Sequence, residues 1–386
     1  MTQEQFYELA NSWQNIFLTW DGWTWKSYAI NKWCDDNNLK KIIRVAPTGI
    51  AAINCWWETI HSVFKLYWNN YHVFRKQDID WSIIDVLIVD EISMVSWEMF
   101  DYMWEVIKRA YHSDKLFGNI QVIVVGDLMQ LPPVYNFKEE WIKDKYNQRM
   151  KEFGWITFKH SLAYEQWNFK EINLTENKRT TDDKLISLLN RLRVWDRTAI
   201  NEFQHEWYSA QFYNKAVHIM PYNYQVDKLN EDRLSKLPWK TYKFMWFTKG
   251  EFNLNNVLVP LELKLKVWAR VMCVKNLECG LVNGDMWEIV SIVDNKTIVF
   301  KSDRLWEDFE IHTEKWTNIH YDEEWNKDEK WSFVQFPLKL WYGITCHKGQ
   351  GLTLDKVVFH YDDSLSNELV YTACSRATTF NWLYVI

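Results

Sequence analysis

Short apolar runs alternate with amphipathic stretches along most of the chain. Asn15–Thr19 (NIFLT), Ile42–Val45, Val86–Val89 (VLIV) and Gln121–Val125 (QVIVV) are compact apolar or β-branched runs. That is the pattern of strands covered on both faces, not of a half-solvated sheet. Ser27–Asp36 and a short stretch at Ile50–Asn54 have helical spacing between them. Strands separated by helices predict a parallel sheet, and therefore an α/β fold. A second α/β region begins near Thr180, with predicted helices at Asp182–Leu192 and Tyr224–Leu237 and a strand at Ala216–Met220. From about Val257 to Val334 the pattern changes. Ala269–Val274, Glu288–Val293 and Thr297–Lys301 are short β-runs joined by turns such as Asn283-Gly284, which predicts a small β-barrel insertion. The acidic stretch Asp303–Lys330 reads as a solvated loop of that insertion. The α/β pattern returns with strands at Leu338–Cys346, Lys356–His360 and Leu383–Ile386 and a helix at Asn367–Cys374.

Three segments at predicted strand ends carry candidate chemistry. After the first strand comes Trp20-Asp21-Gly22-Trp23-Thr24-Trp25-Lys26-Ser27. A phosphate-binding loop reads G-x-x-x-x-G-K-[ST]. Lys26 and Ser27 fit it, as lysine for the β/γ-phosphates and hydroxyl for Mg²⁺. Trp20 and Trp25 stand at its two glycine positions, where bare backbone N–H groups are needed. Taken alone, this is also what a Lys-Ser at an ordinary helix start looks like. After VLIV comes Asp90-Glu91, a pair suited to holding Mg²⁺ (Asp90) and polarising an attacking water (Glu91). After QVIVV comes Gly126-Asp127-Leu128-Met129-Gln130-Leu131-Pro132-Pro133, in which Gln130 can sense a γ-phosphate and the lytic water.

Taken in order, these segments resemble the Pif/RecD-like branch of superfamily 1 DNA helicases. The resemblance rests on Ala46-Pro47-Thr48-Gly49-Ile50-Ala51-Ala52, Thr59-Ile60-His61-Ser62, Asp90-Glu91-Ile92-Ser93-Met94 and Gly126-Asp127 to Pro133. In the C-terminal half it rests on Leu174–Arg179, on Ile344 to Asp355 (ITCHKGQGLTLD) and on Tyr371-Thr372-Ala373-Cys374-Ser375-Arg376-Ala377. It runs from about residue 3 to 386. It implies two RecA-like domains, 1–175 and 176–256 with 335–386, and an accessory insertion at 257–334. It implies ATP and Mg²⁺ as cofactors, with Gln5, Gly22, Thr24, Lys26, Ser27, Gln350 and Gly351 around the nucleotide and Ser27 and Asp90 on the metal. Lys26, Glu91, Gln130 and the arginine fingers Arg179 and Arg376 would form the catalytic set. Pro47, Thr48, His61, Thr345, His347 and Lys348 would contact single-stranded DNA. A monomer that moves five-prime to three-prime on single-stranded DNA and opens forks is the expected machine, serving repair, recombination, replication or telomere maintenance.

Composition changes one part of this picture. The chain has 386 residues, 45 Lys+Arg against 51 Asp+Glu and a formal net charge of −6. That suits a soluble protein of two or three domains and argues against a generally basic nucleic-acid coat, while leaving room for a local basic channel. No apolar run is long enough to span a bilayer and no signal-peptide pattern is present, so no membrane role is expected. Six scattered cysteines without a CxxC pair suit a reduced, cytoplasmic setting without structural zinc.

The abnormal count is 26 tryptophans beside 11 glycines, where glycine alone ordinarily makes about 7% of a chain. Tryptophan stands where the family pattern has glycine: Trp20, Trp23 and Trp25, Trp56-Trp57, Trp268, Trp287 and Trp382. Trp195 and Trp239 sit at turn-like places. One replacement for one residue type reads as a UGA codon that the source decodes as glycine and the written sequence renders as tryptophan. Deliberate substitution and an ATP-dead paralogue are the rival readings. Literal indoles at 20, 23 and 25 would crowd the phosphate loop and leave a non-catalytic DNA-binding relative. A base-stacking surface built of indoles, at about 1–3 kcal/mol per base, fits less well, because the tryptophans fall at turns and form no stripe. A P-loop kinase would leave His347–Gln350 and Ser375-Arg376 without a purpose.

Overall fold

In a computed structural model the described residues are 3–20, 26–48, 58–66, 71, 74, 77, 79–111, 120–135, 140–153, 156–174, 182–204, 210–245, 247–250, 259–260, 262–275, 277, 279–281, 285–302, 308–321 and 327–386. The chain divides into two compact units. One is Met1–Lys215 with Cys346–Ile386, and the other is Ala216–Thr345.

The first unit is built on a sheet of β1 (Ile16–Trp20), β2 (Ile42–Ala46), β3 (Glu58–Thr59), β4 (Val86–Val89), β5 (Gln121–Val125) and β6 (Lys170–Leu174), in the order β3-β2-β4-β5-β1-β6. Every pairing is parallel. Each residue of β4 and β5 is buried. Leu87, Val89, Val122 and Val124 join one core with Met99, Phe100, Met103 and Ile107 of the helix Trp97–Tyr111. Val86, Ile88, Ile123 and Val125 join the other with Ala29, Ile30 and Trp33 of the helix Lys26–Asp36 and Phe6 of the helix Gln3–Asn11. Alternate residues of one apolar run thus serve opposite cores, at about 1.5–3 kcal/mol for each buried Val, Leu or Ile. Gln121 ties the first helix down by donating from Nε2 to Ala10 O at 2.9 Å and Gln14 O at 2.8 Å.

The second unit opens on β7 (Val217–Met220) and the helix Asn223–Lys236. Short strands follow: β8 (Tyr242–Met245), β9 (Phe247–Gly250), β10 (Glu262–Leu265), β11 (Arg270–Cys273), β12 (Met286–Ile292), β13 (Thr297–Ser302), β14 (Asp308–His312), β15 (Glu314–Tyr321), β16 (Lys327–Gln335), β17 (Leu338–Leu340) and β18 (Gly343–Thr345). All of these but β18 form a five-stranded sheet β14-β13-β12-β11-β17, a three-stranded sheet β15-β16-β9 and a pair β10-β8, each antiparallel, and among the described residues no closed barrel is formed. Phe244, Leu263 and Leu265 share one core with Val271, Trp287, Ile289, Ile298, Phe300, Ile311 and Leu338.

Two expectations need correction here. Asp303–Lys330 is not simply a solvated loop, because β14, β15 and the start of β16 lie inside it. Leu338–Cys346 is not one strand. β17 pairs antiparallel with β11, β18 pairs parallel with β7, and Trp341-Tyr342 make the changeover. The first unit is completed by β19 (Val357–Phe359), the helix Asn367–Cys374 and β20 (Leu383–Val385), with β19 and β20 parallel.

Backbone conformation bears on the tryptophans. Five described non-glycine residues have positive φ, and three of them are Trp13 (60°), Trp195 (68°) and Trp268 (65°). Left-handed backbone costs an L-residue with a bulky side chain about 1–2 kcal/mol and is glycine's territory. Trp195 follows the helix Asp183–Arg193, whose C-cap is Val194. Its N–H donates to Leu192 O at 3.0 Å, and Asp196 N–H donates to Arg191 O at 2.9 Å. These are the paired bonds of a helix end that normally has glycine at this position. Trp268 is the third residue of a turn closed by Ala269 N–H on Lys266 O at 3.0 Å, where positive φ again favours glycine. Trp287 behaves differently. It lies in β12, 1% exposed, and stacks on Phe300 with centroids 4.5 Å apart.

Candidate functional site

The candidate residues of the first unit converge on one edge of its sheet. β4, β5 and β1 are neighbours, so the segments leaving their C-terminal ends lie within about 10 Å of one another. In open parallel sheets this edge is where ligands bind. Lys26 and Ser27 open the helix that follows β1, at an end that favours anions. The side chains of Lys26 and Ser27, together with Gly22, Thr24, Trp23 and Trp25, lie outside the described residues, as do Arg179, Ile50–Asn54 and the Asn283-Gly284 turn. The expected crowding of the phosphate loop falls there too.

The acid pair is buried, Asp90 at 4% and Glu91 at 3% exposed. Asp90 Oδ1 accepts the N–H of Glu91 at 2.8 Å. Glu91 has left-handed backbone, φ 48° and ψ 44°, strain of the kind found at functional positions. Gly126 makes room for it. A Cβ there would stand 2.8 Å from the backbone nitrogen of Ile92 and 2.7 Å from Ile92 Cγ2. From the C-terminal segment, buried Gln350 donates through Nε2 to Glu91 Oε2 and to Ser93 Oγ, both at 3.2 Å. Gln130 is buried, its N–H donates to Asp127 O at 3.0 Å, and its Oε1 has no partner among the described residues.

Arg376 is 3% exposed. Its guanidinium donates to Thr372 O (2.9 Å), Leu352 O (3.3 Å) and Ser375 Oγ (2.6 Å), all uncharged. Burial pulls its pKa down, and the nearby acidic groups, Glu91 first, push it back up. A buried cation bonded to neutral acceptors suits an incoming polyanion. The orphaned Gln130 oxygen and the paired acids complete a donor set that fits a metal-bound triphosphate.

Sequence reasoning left Ser93, Asp127, Arg193 and Tyr371 without roles. Asp127 is fully buried. Its Oδ1 accepts from Met129 N–H at 3.0 Å and Arg193 Nη2 at 3.4 Å, and its Oδ2 accepts from Tyr371 O–H at 2.9 Å. Burial first, and Asp127 second, hold the Tyr371 phenol far above its ordinary pKa, so it remains a donor.

The other candidates are more dispersed. Gln5 is exposed on the first helix, and Gly351 has φ 81°. Pro47 and Thr48 are half-buried just beyond β2, and His61 is half-buried on the helix Ile60–Val63, whose N-cap Thr59 accepts Ser62 N–H at 3.2 Å. His347, its pKa lowered by burial, and exposed Lys348 lie on the helix Cys346–Gly349. Thr345 is buried at the end of β18, in the second unit.

A parallel sheet with a buried acid pair and a glutamine turn at one edge, and a buried arginine in the field of those acids, suits a nucleoside triphosphatase. A family model for PIF1-like helicases matches residues 3–201, and one for the Pif1 helicase 2B domain matches 253–292. The chain belongs to the PIF1-like helicase family and is an ATP-dependent DNA helicase. ATP-dependent DNA helicase Pif1 of Campylobacter jejuni is 26% identical over 424 residues, covering 97% of this chain and 89% of that protein. PIF1 of Saccharomyces cerevisiae is 31% identical over 328 residues, covering 76% of this chain and 36% of the yeast protein. Bacteroides Pif1 bound to single-stranded DNA aligns with a TM-score of 0.85 at 28% identity, covering 99% of this chain and 91% of that one. Bacteroides Pif1 with ADP-AlF3 and single-stranded DNA aligns with a TM-score of 0.86 at 29% identity, with the same coverage.

Proposed function

We propose that this helicase couples hydrolysis of Mg²⁺-bound ATP to five-prime to three-prime movement on single-stranded DNA and opens forks as a monomer in a reduced cytoplasm. The observation that carries the reading is the buried cluster of Glu91, Gln350, Gln130 and Arg376 at the C-terminal edge of β4 and β5. Lys26 would hold the β/γ-phosphates, Ser27 and Asp90 the metal, and Gln5 the adenine. Bound Mg²⁺ would neutralise phosphate charge. Glu91 would take the proton of the attacking water, and Gln130 would orient that water. Arg376, with Arg179, would stabilise charge on the transferring phosphoryl group, a contribution worth about 10³–10⁵ in rate in comparable enzymes. Pro47, Thr48, His61, Thr345, His347 and Lys348 would line the DNA path, with Lys348 as phosphate contact. Residues 1–175 would be one RecA-like domain, 176–256 with 335–386 the second, and 257–334 an accessory insertion of antiparallel strands; the 2B-domain match at 253–292 supports the last. Single-stranded-DNA-stimulated ATPase, abolished by Lys26→Ala and by Glu91→Gln, is the expected result. Full turnover in either variant would remove the reading.

The same proposal takes glycine as the residue at 20 and 25 in the protein its source makes. Support comes from Trp13, Trp195 and Trp268, which have glycine's backbone conformation. Mass spectrometry of the tryptic peptide 1–26 from the native source decides it. A mass with glycine for tryptophan supports an open phosphate loop. A mass with four tryptophans instead makes this chain a DNA-binding relative without ATP turnover.

A further inference from the structure

The buried carboxylate of Asp127 joins three segments of the first unit that are far apart in sequence. One is the turn carrying Gln130, which leaves β5. The second is the C-terminal end of the helix Asp183–Arg193. The third is the helix Asn367–Cys374, whose end carries Arg376. Asp127 closes the Gln130 turn twice, with its carbonyl accepting Gln130 N–H at 3.0 Å and its Oδ1 accepting Met129 N–H at 3.0 Å. Tyr371 is engaged at both ends. Its hydroxyl donates to Asp127 Oδ2 at 2.9 Å, and its carbonyl accepts Ser375 N–H at 2.9 Å, next to Arg376.

We propose that Asp127 and Tyr371 are positioning residues: their buried hydrogen bond holds the Gln130 turn and the Arg376 helix in one register, with Arg193 balancing the carboxylate from its other oxygen. This rests on the roles given above to Gln130 and Arg376. Without the Tyr371 hydroxyl, Oδ2 has lost its 2.9 Å donor, while Arg193 still draws Oδ1 from 3.4 Å. The carboxylate then turns toward Arg193, and the Gln130 turn turns with it. Because a misplacement of about 1 Å can lower a rate on the order of 10²-fold, the loss belongs in kcat and not in nucleotide binding.

The test is Tyr371→Phe in the full-length protein, produced with the source's own decoding. It keeps the ring and removes one oxygen. Single-stranded-DNA-stimulated ATPase is measured for kcat and KM, with the affinity for ADP alone and for ADP with aluminium fluoride. The expected outcome is a kcat lower by about 10- to 100-fold, KM within about twofold, ADP affinity unchanged and aluminium-fluoride affinity reduced in step with kcat. Asp127→Asn should give a similar loss, and the double variant should be no worse than the poorer single, as for two residues acting through one bond. A lowered melting temperature with kcat and aluminium-fluoride affinity intact would make the bond mere packing and overturn the proposal. Should Tyr371→Phe fail to fold, Arg193→Met takes its place, with a several-fold fall in kcat expected and an unchanged kcat overturning it. Lys26→Ala and Arg376→Ala run alongside. If they retain full activity, the site reading fails. If they lose it while Tyr371→Phe does not, only this proposal fails.

Discussion

Alanine at position 126 tests how closely the acid pair is fitted. The added Cβ would meet the Ile92 backbone nitrogen at 2.8 Å, where ordinary contact begins at 3.4 Å. Ile92 Cγ2, at 2.7 Å, can rotate away; the backbone nitrogen can retreat only by moving the chain, by about 0.6 Å. The residue before Ile92 is Glu91, already in left-handed backbone. Overpacking of this kind costs about 1–3 kcal/mol of stability. With about 10² in rate lost per Å of misplacement, the shift corresponds to roughly a tenfold fall in kcat. The assay is single-stranded-DNA-stimulated phosphate release, with kcat and KM fitted separately and a melting curve on the same sample. Gly126→Ala should lower kcat about tenfold with KM nearly unchanged. A variant that melts earlier and turns over at the parent rate would show that Ile92 yields without carrying Glu91, and would refute the reasoning.

Two further outcomes follow from backbone and burial. Trp195→Gly should be more stable than Trp195→Ala by about 1 kcal/mol, because φ is 68° there and only glycine adopts that value without strain; the usual alanine-over-glycine order in denaturant melts would refute the helix-end assignment. Burial lowers the His360 pKa from 6.5 to about 4. Between those values the unfolded chain binds a proton that the folded chain refuses, so stability falls as pH drops through that window, by at most about 1.4 kcal/mol per unit. His360→Gln should flatten that limb of the pH–stability curve, and an unaltered limb would assign the loss to other groups.

The parallel strands were legible because an apolar run of four or five residues between helical patterns has few other uses. Asp90-Glu91, Gln130, Gln350 and Arg376 were legible as ordered motifs, and the fold brings them to one buried cluster. Other features were hidden for physical reasons. β14 does alternate, with Phe309 and Ile311 turned inward between Asp308, Glu310 and His312, but five residues in an acidic stretch give that alternation little weight. Leu338–Cys346 is apolar apart from Lys339 and Thr345, and neither lies at Trp341-Tyr342, so nothing in its pattern marks the point where it leaves one sheet for another. Asp127, though part of a motif segment, had no role legible in the sequence, because its partners Arg193 and Tyr371 are 66 and 244 residues away.

That changeover has a mechanical consequence. Tyr342 is held from three directions: its N–H donates to Asn230 Oδ1 at 2.9 Å, its carbonyl accepts His218 N–H at 3.1 Å, and its hydroxyl accepts Arg270 N–H at 3.2 Å. Asn230 Oδ1 also accepts Gly343 N–H at 3.1 Å. Every polar atom of Tyr342 is thus bonded within the second unit. A load applied to the antiparallel sheet through β17 would have to break these bonds before Trp341-Tyr342 could yield, and until then it would pass along β18 to Thr345. Within the second unit, the antiparallel sheet and β18 therefore behave as a stiff lever with Thr345 at its tip.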